Sequence, residues 1–582
     1  MGLIAVFQAL VMTPPLTSSS PTLSRRPISL FKKIKQVLFS AQAWIGVVWL
    51  LALLIALPIL VILGQILTNS STTWQHLAET VLKDYVLNSC WLMLGVGLGV
   101  TVIGVGTAWL VTMCEFWGSR AWSWLLLLPF AAPAYILAYT YTVFLSFEGP
   151  VQSGLRAWTG WEWGDYWFPE IRSLPGAILM LTLVLYPYVY LLARVAFLEQ
   201  ATCTLEASRS LGCGPWRSFW TVALPLARPA IAAGVALALM ETLNDFGTVQ
   251  YFGVDTFTTG IYRTWLGLGD RTGAAQLASV LLLFIFGLLL AERWSRGQAR
   301  FTKQGHSDQL RPYSLKTWRA GLATLFCFLP VGLGFMAPAT VLLQMAIREG
   351  AGAWNEEFWT HAGHSLILSG LAALLAVILG VFLAYGLRLF PAWSLRLGTQ
   401  LAVMGYAIPG AVIAVGILVP LGWVDNQMDR FAVATFNIST GLVLSGTIFA
   451  LLYAYLVRFL AVSFNSVEAS LLKIRPSLDE AARSLGKTVV GTLISVHLPL
   501  MTTGLLTAAM MVFVDVMKEL PATLVIRPFN FDTLAIQVYR LASDERLNEA
   551  AGGALAIVLV GLIPVLWLSW QIHRAGQQHV TK

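Results

Sequence analysis

Charge is what this chain has least of. Of its 582 residues only 11% are Asp, Glu, Lys or Arg, against 57% hydrophobic residues, where a soluble protein carries about a quarter charged. A fold with water on every side is therefore excluded for most of the chain. Cysteine is scarce as well. Cys90, Cys114, Cys203, Cys213 and Cys327 form no CxxC pair, and their odd number argues against a disulfide framework; they read as small apolar fillers in or near helices. No GxxxxGK[ST] run occurs, so a phosphate-cradling loop is lacking. No Ser/His/Asp arrangement suggests a hydrolase either, and no catalytic residue is assigned. The stretch Gly2–Met12 is apolar, but no basic residue precedes it. It is too short to span a bilayer and matches a signal peptide poorly.

What the chain does have is long apolar blocks. Trp44–Leu67 and Ala274–Leu290 have about the length that crosses a hydrocarbon core of ~30 Å. The pattern predicts an all-α integral membrane protein of about twelve transmembrane helices. The expected spans in the first half are 43–68, 86–113, 122–146, 174–198, 226–250 and 274–292. Those in the second half are 320–346, 364–389, 397–421, 436–462, 500–518 and 551–571.

The net charge is +8, but the basic residues sort by loop rather than forming one patch, which excludes a nucleic-acid partner. Residues 293–319 carry Arg293, Arg296, Arg300, Lys303, Arg311, Lys316 and Arg319 against Asp308 alone. The positive-inside rule places this linker in the cytoplasm. Residues 147–173 carry Glu148, Glu162, Asp165 and Glu170 against Arg156 and Arg172, so that loop is expected outside, as is 422–435. Trp158, Trp161, Trp163 and Trp167 lie in it, as an interfacial aromatic belt would. An even number of spans puts both termini inside. The expected organisation is a cytoplasmic tail at 1–42, a first domain at 43–292, the basic linker at 293–319, a second domain at 320–571 and a cytoplasmic tail at 572–582.

The two domains are copies. Glu206-Ala207-Ser208-Arg209-Ser210-Leu211-Gly212 matches Glu480-Ala481-Ala482-Arg483-Ser484-Leu485-Gly486 at an offset of 274 residues. Leu224-Pro225-Leu226 matches Leu498-Pro499-Leu500 at the same offset, Pro133 aligns with Pro409 at 276, and Tyr262-Arg263 with Tyr539-Arg540 at 277. Both loops follow a fourth span, so the two six-helix repeats are parallel in the membrane, an arrangement known among transporters. Each loop reads as a helix, a turn at Gly212 or Gly486, and an amphipathic helix. In the first copy Trp216, Phe219 and Trp220 share one face; Val490, Leu493 and Ile494 take those places in the second. A single such segment also suits a helix lying on lipid headgroups. Two copies in equivalent cytoplasmic positions favour a partner with its own two-fold symmetry.

The run Glu-Ala-Ala, three residues, Gly, then Leu-Pro resembles the EAA loop of permease subunits of binding-protein-dependent ABC importers, the MetI-like permease domains. The first copy has Ser208 where the second has Ala482. The resemblance covers about residues 45–571. It implies two copies of an ATPase docked on the two loops, with Glu206, Ala207, Ser208 and Gly212 in one seat and Glu480, Ala481, Ala482 and Gly486 in the other. It implies ATP and magnesium on that partner rather than on this chain, a periplasmic binding protein outside, and a bacterial inner-membrane location. Asp245-Phe246-Gly247, Tyr251-Phe252-Gly253 and Thr256–Tyr262 resemble the ferric-iron branch, as do Lys518–Leu524, Arg527-Pro528-Phe529 and Leu541–Glu545. Thiamine, polyamine and phosphonate permeases share much of this frame. An ion-coupled secondary transporter is the rival from another class, and it would need coupling acids near the bilayer midplane, which the sequence places elsewhere.

Acids at span ends are candidate pathway residues. Glu241 and Asp245 end the fifth span of the first half, and Asp515 and Glu519 take the same places in the second. Facing each other across the pseudo-two-fold axis they could form a ring of carboxylates at the outer mouth, suited to a hard cation. The favoured expectation is that they cap helices or pair with Arg263, Lys518 and Arg540. Pro133 and Pro409 interrupt equivalent helices beside small residues, as breaks lining a path do. His361 and His364 at an outer helix start read as interfacial residues, and no firm metal site is expected.

Overall fold

The computed structural model describes residues 41–65, 72–162, 164–199, 208, 210–296 and 312–578. The N-terminal tail to residue 40, Trp163, Cys203, Glu206, Ala207, Arg209, most of the basic linker (297–311) and residues 579–582 lie outside the described residues. Contacts group residues 1–47 as one unit and 48–582 as another.

Helices make almost the whole of the described chain. Ten are long and apolar enough to cross a membrane, and two bent pairs bring the number to twelve. Their faces say what solvent they meet. On the helix Leu82–Met113, Ser89, Leu92, Val96 and Val100 are buried, while Leu94, Leu98 and Val102 are 53%, 61% and 62% exposed. A helix apolar on both its packed and its open face belongs in lipid, because in water such a stripe would be a large exposed apolar patch.

The two halves repeat one plan. Leu82–Met113 packs on Leu174–Glu199 as Glu356–Leu389 packs on Ile448–Leu471. A break follows the first helix of each pair, at Pro133 and Pro409. Both prolines stand at a helix N-cap with nearly the same backbone, φ −61°, ψ 145° and φ −59°, ψ 143°. Proline lacks the N–H that a helix interior needs, so the chain leaves a short 3-10 turn and restarts as Ala134–Leu145 or Gly410–Phe436. In the first half the pair Ser119–Ala131 and Ala134–Thr159 is bent by 90°.

Several boundaries differ from the expectation. The fifth span of the first half is Pro215–Asn244 rather than 226–250. The chain is already helical nine residues before Leu224-Pro225, and Asp245 stops it. In the second half Val489–Leu500 and Thr502–Met517 meet at 77°. The segment 422–435, expected as an outer loop, is helix, since Gly410–Phe436 runs through it; the next span is Ile448–Leu471 rather than 436–462. A 27-residue helix is about 40 Å long and outruns the hydrocarbon, so its last turns carry polar groups without ending. Asp425 there is fully buried. It accepts hydrogen bonds from Leu444 N–H (2.8 Å), Ser445 N–H (2.8 Å) and the Ser445 hydroxyl (2.6 Å). Asp429 accepts from the Ser439 hydroxyl (2.7 Å) and Thr440 N–H (2.8 Å). The final helix, Leu547–Gln578, extends through most of the expected C-terminal tail.

Candidate functional site

Two features recur in both halves. One is the docking loop. In the second copy Ser477–Ser484 is helical and ends at Gly486, φ +76°. Lys487 N–H reaches back to the Ala482 carbonyl (3.0 Å), the six-to-one bond of a Schellman ending. In the first copy Gly212 has φ +77° and Cys213 N–H reaches the Ser208 carbonyl at 3.0 Å. Ser208 and Ala482 are buried alike, 6% and 5% exposed. The additional hydroxyl of Ser208 is satisfied by Ser218, 2.7 Å away. Beyond each turn the helix carries one π-helical turn, Phe219–Ala223 and Leu493–His497, again 274 residues apart.

Leu211 and Leu485, at matching positions beside the glycines, are 84% and 83% exposed. Neither leucine is among the docking residues that the motif implies. Glu480 is exposed and free of an ion pair among the described residues. The expected aromatic face divides: Phe219 turns inward onto Trp109 (centroids 5.0 Å apart), while Trp216 and Trp220 are 69% and 53% exposed.

The two loops are anchored differently. Arg388 donates to Asp479 Oδ2 (2.8 Å) and to the Leu471 and Ile474 carbonyls (2.8 and 3.0 Å), and His497 Nε2 lies 2.6 Å from Asp479 Oδ1. The corresponding residues of the first half are Thr112, Leu205 and Ala223. There Trp109 packs between Phe197 (5.6 Å) and Phe219 instead.

The second feature is a cavity of about 120 Å³. Glu241, Asp245, Asp515, Glu519 and Pro133 all line it, so residues from both halves meet there. Pro409 is adjacent through Gly410, whose N–H donates to Asn244 Oδ1 at 2.7 Å. The depth differs from expectation. The cavity is flanked by Leu181–Tyr188, the middle turns of Leu174–Glu199, and by Arg458 and Phe459 in the middle of Ile448–Leu471. Arg458 therefore sits at mid-helix, and the four acids, at the ends of their own helices, lie level with it.

Arg458, absent from the expected set, is the cavity's central cation. Its Nη1 is 3.1 Å from Glu519 Oε1, and its Nη2 is 3.6 Å from Glu241 Oε2. Its side chain is 7% exposed and that of Glu519 2%. An ionisable residue mid-span is the signal that would have found it. Lys518 Nζ lies 3.0 Å from Asp515 Oδ1. Asp245 and Glu519 also cap short helices. Asp245 accepts from Thr248 N–H (3.0 Å) and Val249 N–H (3.2 Å), and Glu519 from Ala522 N–H (2.8 Å) and Thr523 N–H (3.0 Å). Arg263 and Arg540 pair elsewhere, with Asp255 at 2.7 Å and Asp532 at 3.2 Å. Tyr188 and Tyr406 bring their hydroxyls to 3.5 Å.

Outside these features, His364 Nδ1 is 3.0 Å from the Asp532 carbonyl and its ring stacks on Phe531. Among the described residues no group of three or more His, Cys, Asp or Glu is arranged to hold a metal ion. Trp158 and Trp167 are 87% and 85% exposed.

A polytopic membrane protein with the same glycine turn repeated in two loops and a charged cavity lined by both repeats defines a class: transport permeases. Residues 100–300 match the family model for the inner membrane component of binding-protein-dependent transport systems. The Escherichia coli (K12) molybdenum transport system permease protein ModB is 30% identical over 198 residues, 33% of this chain and 83% of that protein. The Fe(3+)-transport system permease protein FbpB 2 of Haemophilus influenzae is 27% identical over 531 residues, 89% of this chain and 97% of its own length. The ferric transport system permease protein FbpB of Actinobacillus pleuropneumoniae is 22% identical over 577 residues, covering 94% and 81%. The chain belongs to the family of inner membrane permeases of binding-protein-dependent transport systems. As such it is a multi-pass inner membrane protein that works with an ATPase subunit and a soluble binding protein, and its family is not one of enzymes.

Proposed function

We propose that this chain is the fused permease of a ferric-iron importer. The observation that carries the reading is end-to-end likeness: the alignment with the Haemophilus influenzae Fe(3+) permease spans both halves and nearly all of that protein. The cavity supports it. Four acids, Glu241, Asp245, Asp515 and Glu519, face two bases, Arg458 and Lys518, and this acidic excess in oxygen ligands suits a hard cation. The relatives named for molybdenum and 2-aminoethylphosphonate transport align with only 33% and 44% of this chain.

On this reading the halves 43–292 and 320–571 are tandem permease domains, and both termini lie in the cytoplasm with the basic linker. One ATPase copy seats on each docking loop, the first through Glu206, Ala207, Ser208 and Gly212, the second through Glu480, Ala481, Ala482 and Gly486. ATP and magnesium act on those partners. A periplasmic binding protein delivers iron from outside. ATPase closure draws the docking helices together, and the halves open around the cavity, with Pro133, Pro409 and the four acids along the path. Vesicles containing the permease–ATPase complex test the reading. Radiolabelled ferric ion on its binding protein is expected to enter only with ATP. Equal uptake driven by an ion gradient without ATP, or selective uptake of thiamine, a polyamine or a phosphonate, overturns it.

A further inference from the structure

We propose that Arg458 is a tethered counter-ion that keeps the mid-helix cavity closed to multivalent cations until the halves move. The inference rests on the ferric reading for the cargo, but its geometry stands apart. A guanidinium stays charged under all relevant conditions, so once buried it must be paired. Here the pairing crosses the molecule: Glu519 comes from the second half, and Glu241 from the first. The repeat places Val184 where a second arginine would stand, at the 274-residue offset, and Val184 lines the same cavity. One cation therefore serves the carboxylates of both halves.

The cavity is shaped around that cation. Gly410 borders it, and a Cβ there would lie 2.8 Å from Glu519 Oε1 and 2.9 Å from Arg458 Nη1. Only hydrogen at that position leaves room for the Arg458–Glu519 contact. An oxygen able to bind a cation is present and unused: the Tyr135 hydroxyl lines the cavity, buried and with no hydrogen-bond partner among the described residues. Buried polar atoms are rarely left so. Moving the halves apart must stretch the 3.6 Å Arg458–Glu241 contact first, because it is the longer of the two and the one that spans them. Once Arg458 withdraws with its own half, Glu241 and Asp245 of the first half are left with Tyr135 and Tyr188 as an oxygen-lined space for a cation in transit.

Terbium(III) is a hard trivalent probe that luminesces when a nearby tyrosine is excited. The permease–ATPase complex in lipid nanodiscs, without binding protein, is titrated with it. The R458Q complex is expected to bind terbium at least about tenfold more tightly than the unmodified complex, since a fixed positive charge is gone. The gain is expected to vanish in R458Q/E241Q/E519Q. Unchanged affinity in R458Q, or a gain that survives the triple change, overturns the proposal. If R458Q does not assemble, R458K serves: a lysine reaches one carboxylate rather than bridging two, so a smaller gain is expected and no gain contradicts the idea. Iron uptake by the unmodified complex is measured in parallel. Its failure, with the terbium gain intact, removes ferric iron as cargo while the counter-ion role of Arg458 stands.

Discussion

Gly212 and Gly486 hold the same left-handed backbone, φ +77° and +76°, 274 residues apart. A Cβ at either would meet nothing within 4 Å, so substitution there tests the turn alone. Each Gly→Ala change is expected to cost about 1 kcal/mol of local turn stability, with expression of the permease unchanged. ATP hydrolysis stimulated by loaded binding protein should fall in each single variant and further in the double. Stimulation equal to the unmodified complex in G212A/G486A would mean the turn is not what the ATPase reads.

Leu211 and Leu485 are the apolar knobs those turns present. Burying a leucine side chain against a partner stabilises by about 1.5–3 kcal/mol. Leu211→Ala and Leu485→Ala should each weaken ATPase binding by roughly tenfold or more, measured by titrating the purified ATPase onto permease in nanodiscs. Because both side chains are exposed among the described residues, the thermal unfolding midpoint of the permease alone should stay put.

The second docking loop is held by a clamp of Arg388, Asp479 and His497, and the first half has Thr112, Leu205 and Ala223 at those positions. Asp479→Ala leaves Arg388 without its carboxylate and removes the partner of His497. Both side chains of the Arg388–Asp479 pair are about one-sixth exposed (15% and 17%), so the loss is set at about 1.5–3 kcal/mol, the range of a hydrogen bond to a charged group. Hydrogen exchange should quicken across residues 477–486 and stay unchanged in the first half. Faster exchange around Gly212 as well would show that the two loops are mechanically linked.

Gly410→Ala should damage the cavity without removing a charge. Its Cβ would sit 2.8–2.9 Å from Glu519 Oε1, Ala522 N and Arg458 Nη1, and overpacking of this kind costs about 1–3 kcal/mol. Lower thermal stability and reduced uptake are the expected results. Full uptake at normal stability would mean the Arg458–Glu519 contact is dispensable.

The sequence made the repeat and the docking loops legible because both rest on local pattern: a motif, a glycine and a Leu-Pro at fixed spacing. It also brought Glu241, Asp245, Asp515 and Glu519 forward, since acids near span ends stand out. Their depth was not legible. It depends on where helices start, and Pro215–Asn244 begins nine residues before its Leu-Pro. Arg458 was hidden in the apolar run Leu456–Leu460, where hydropathy averages a single charge away. The end of Gly410–Phe436 was misread because Asp425 and Asp429 look like loop residues, although the structure uses them to hold backbone N–H groups of the next turn. The different anchoring of the two loops depends on contacts between residues some 90 positions apart, such as Arg388 and Asp479, which no local pattern reveals.

The central claim is that one chain offers two ATPase seats, and native mass spectrometry of the complex purified from membranes tests it most directly. The account predicts one permease with two ATPase subunits. Glu206→Ala or Glu480→Ala should each yield a population with one, and the double variant should yield permease alone. A single ATPase on the unmodified chain, or two retained in the double variant, would contradict it.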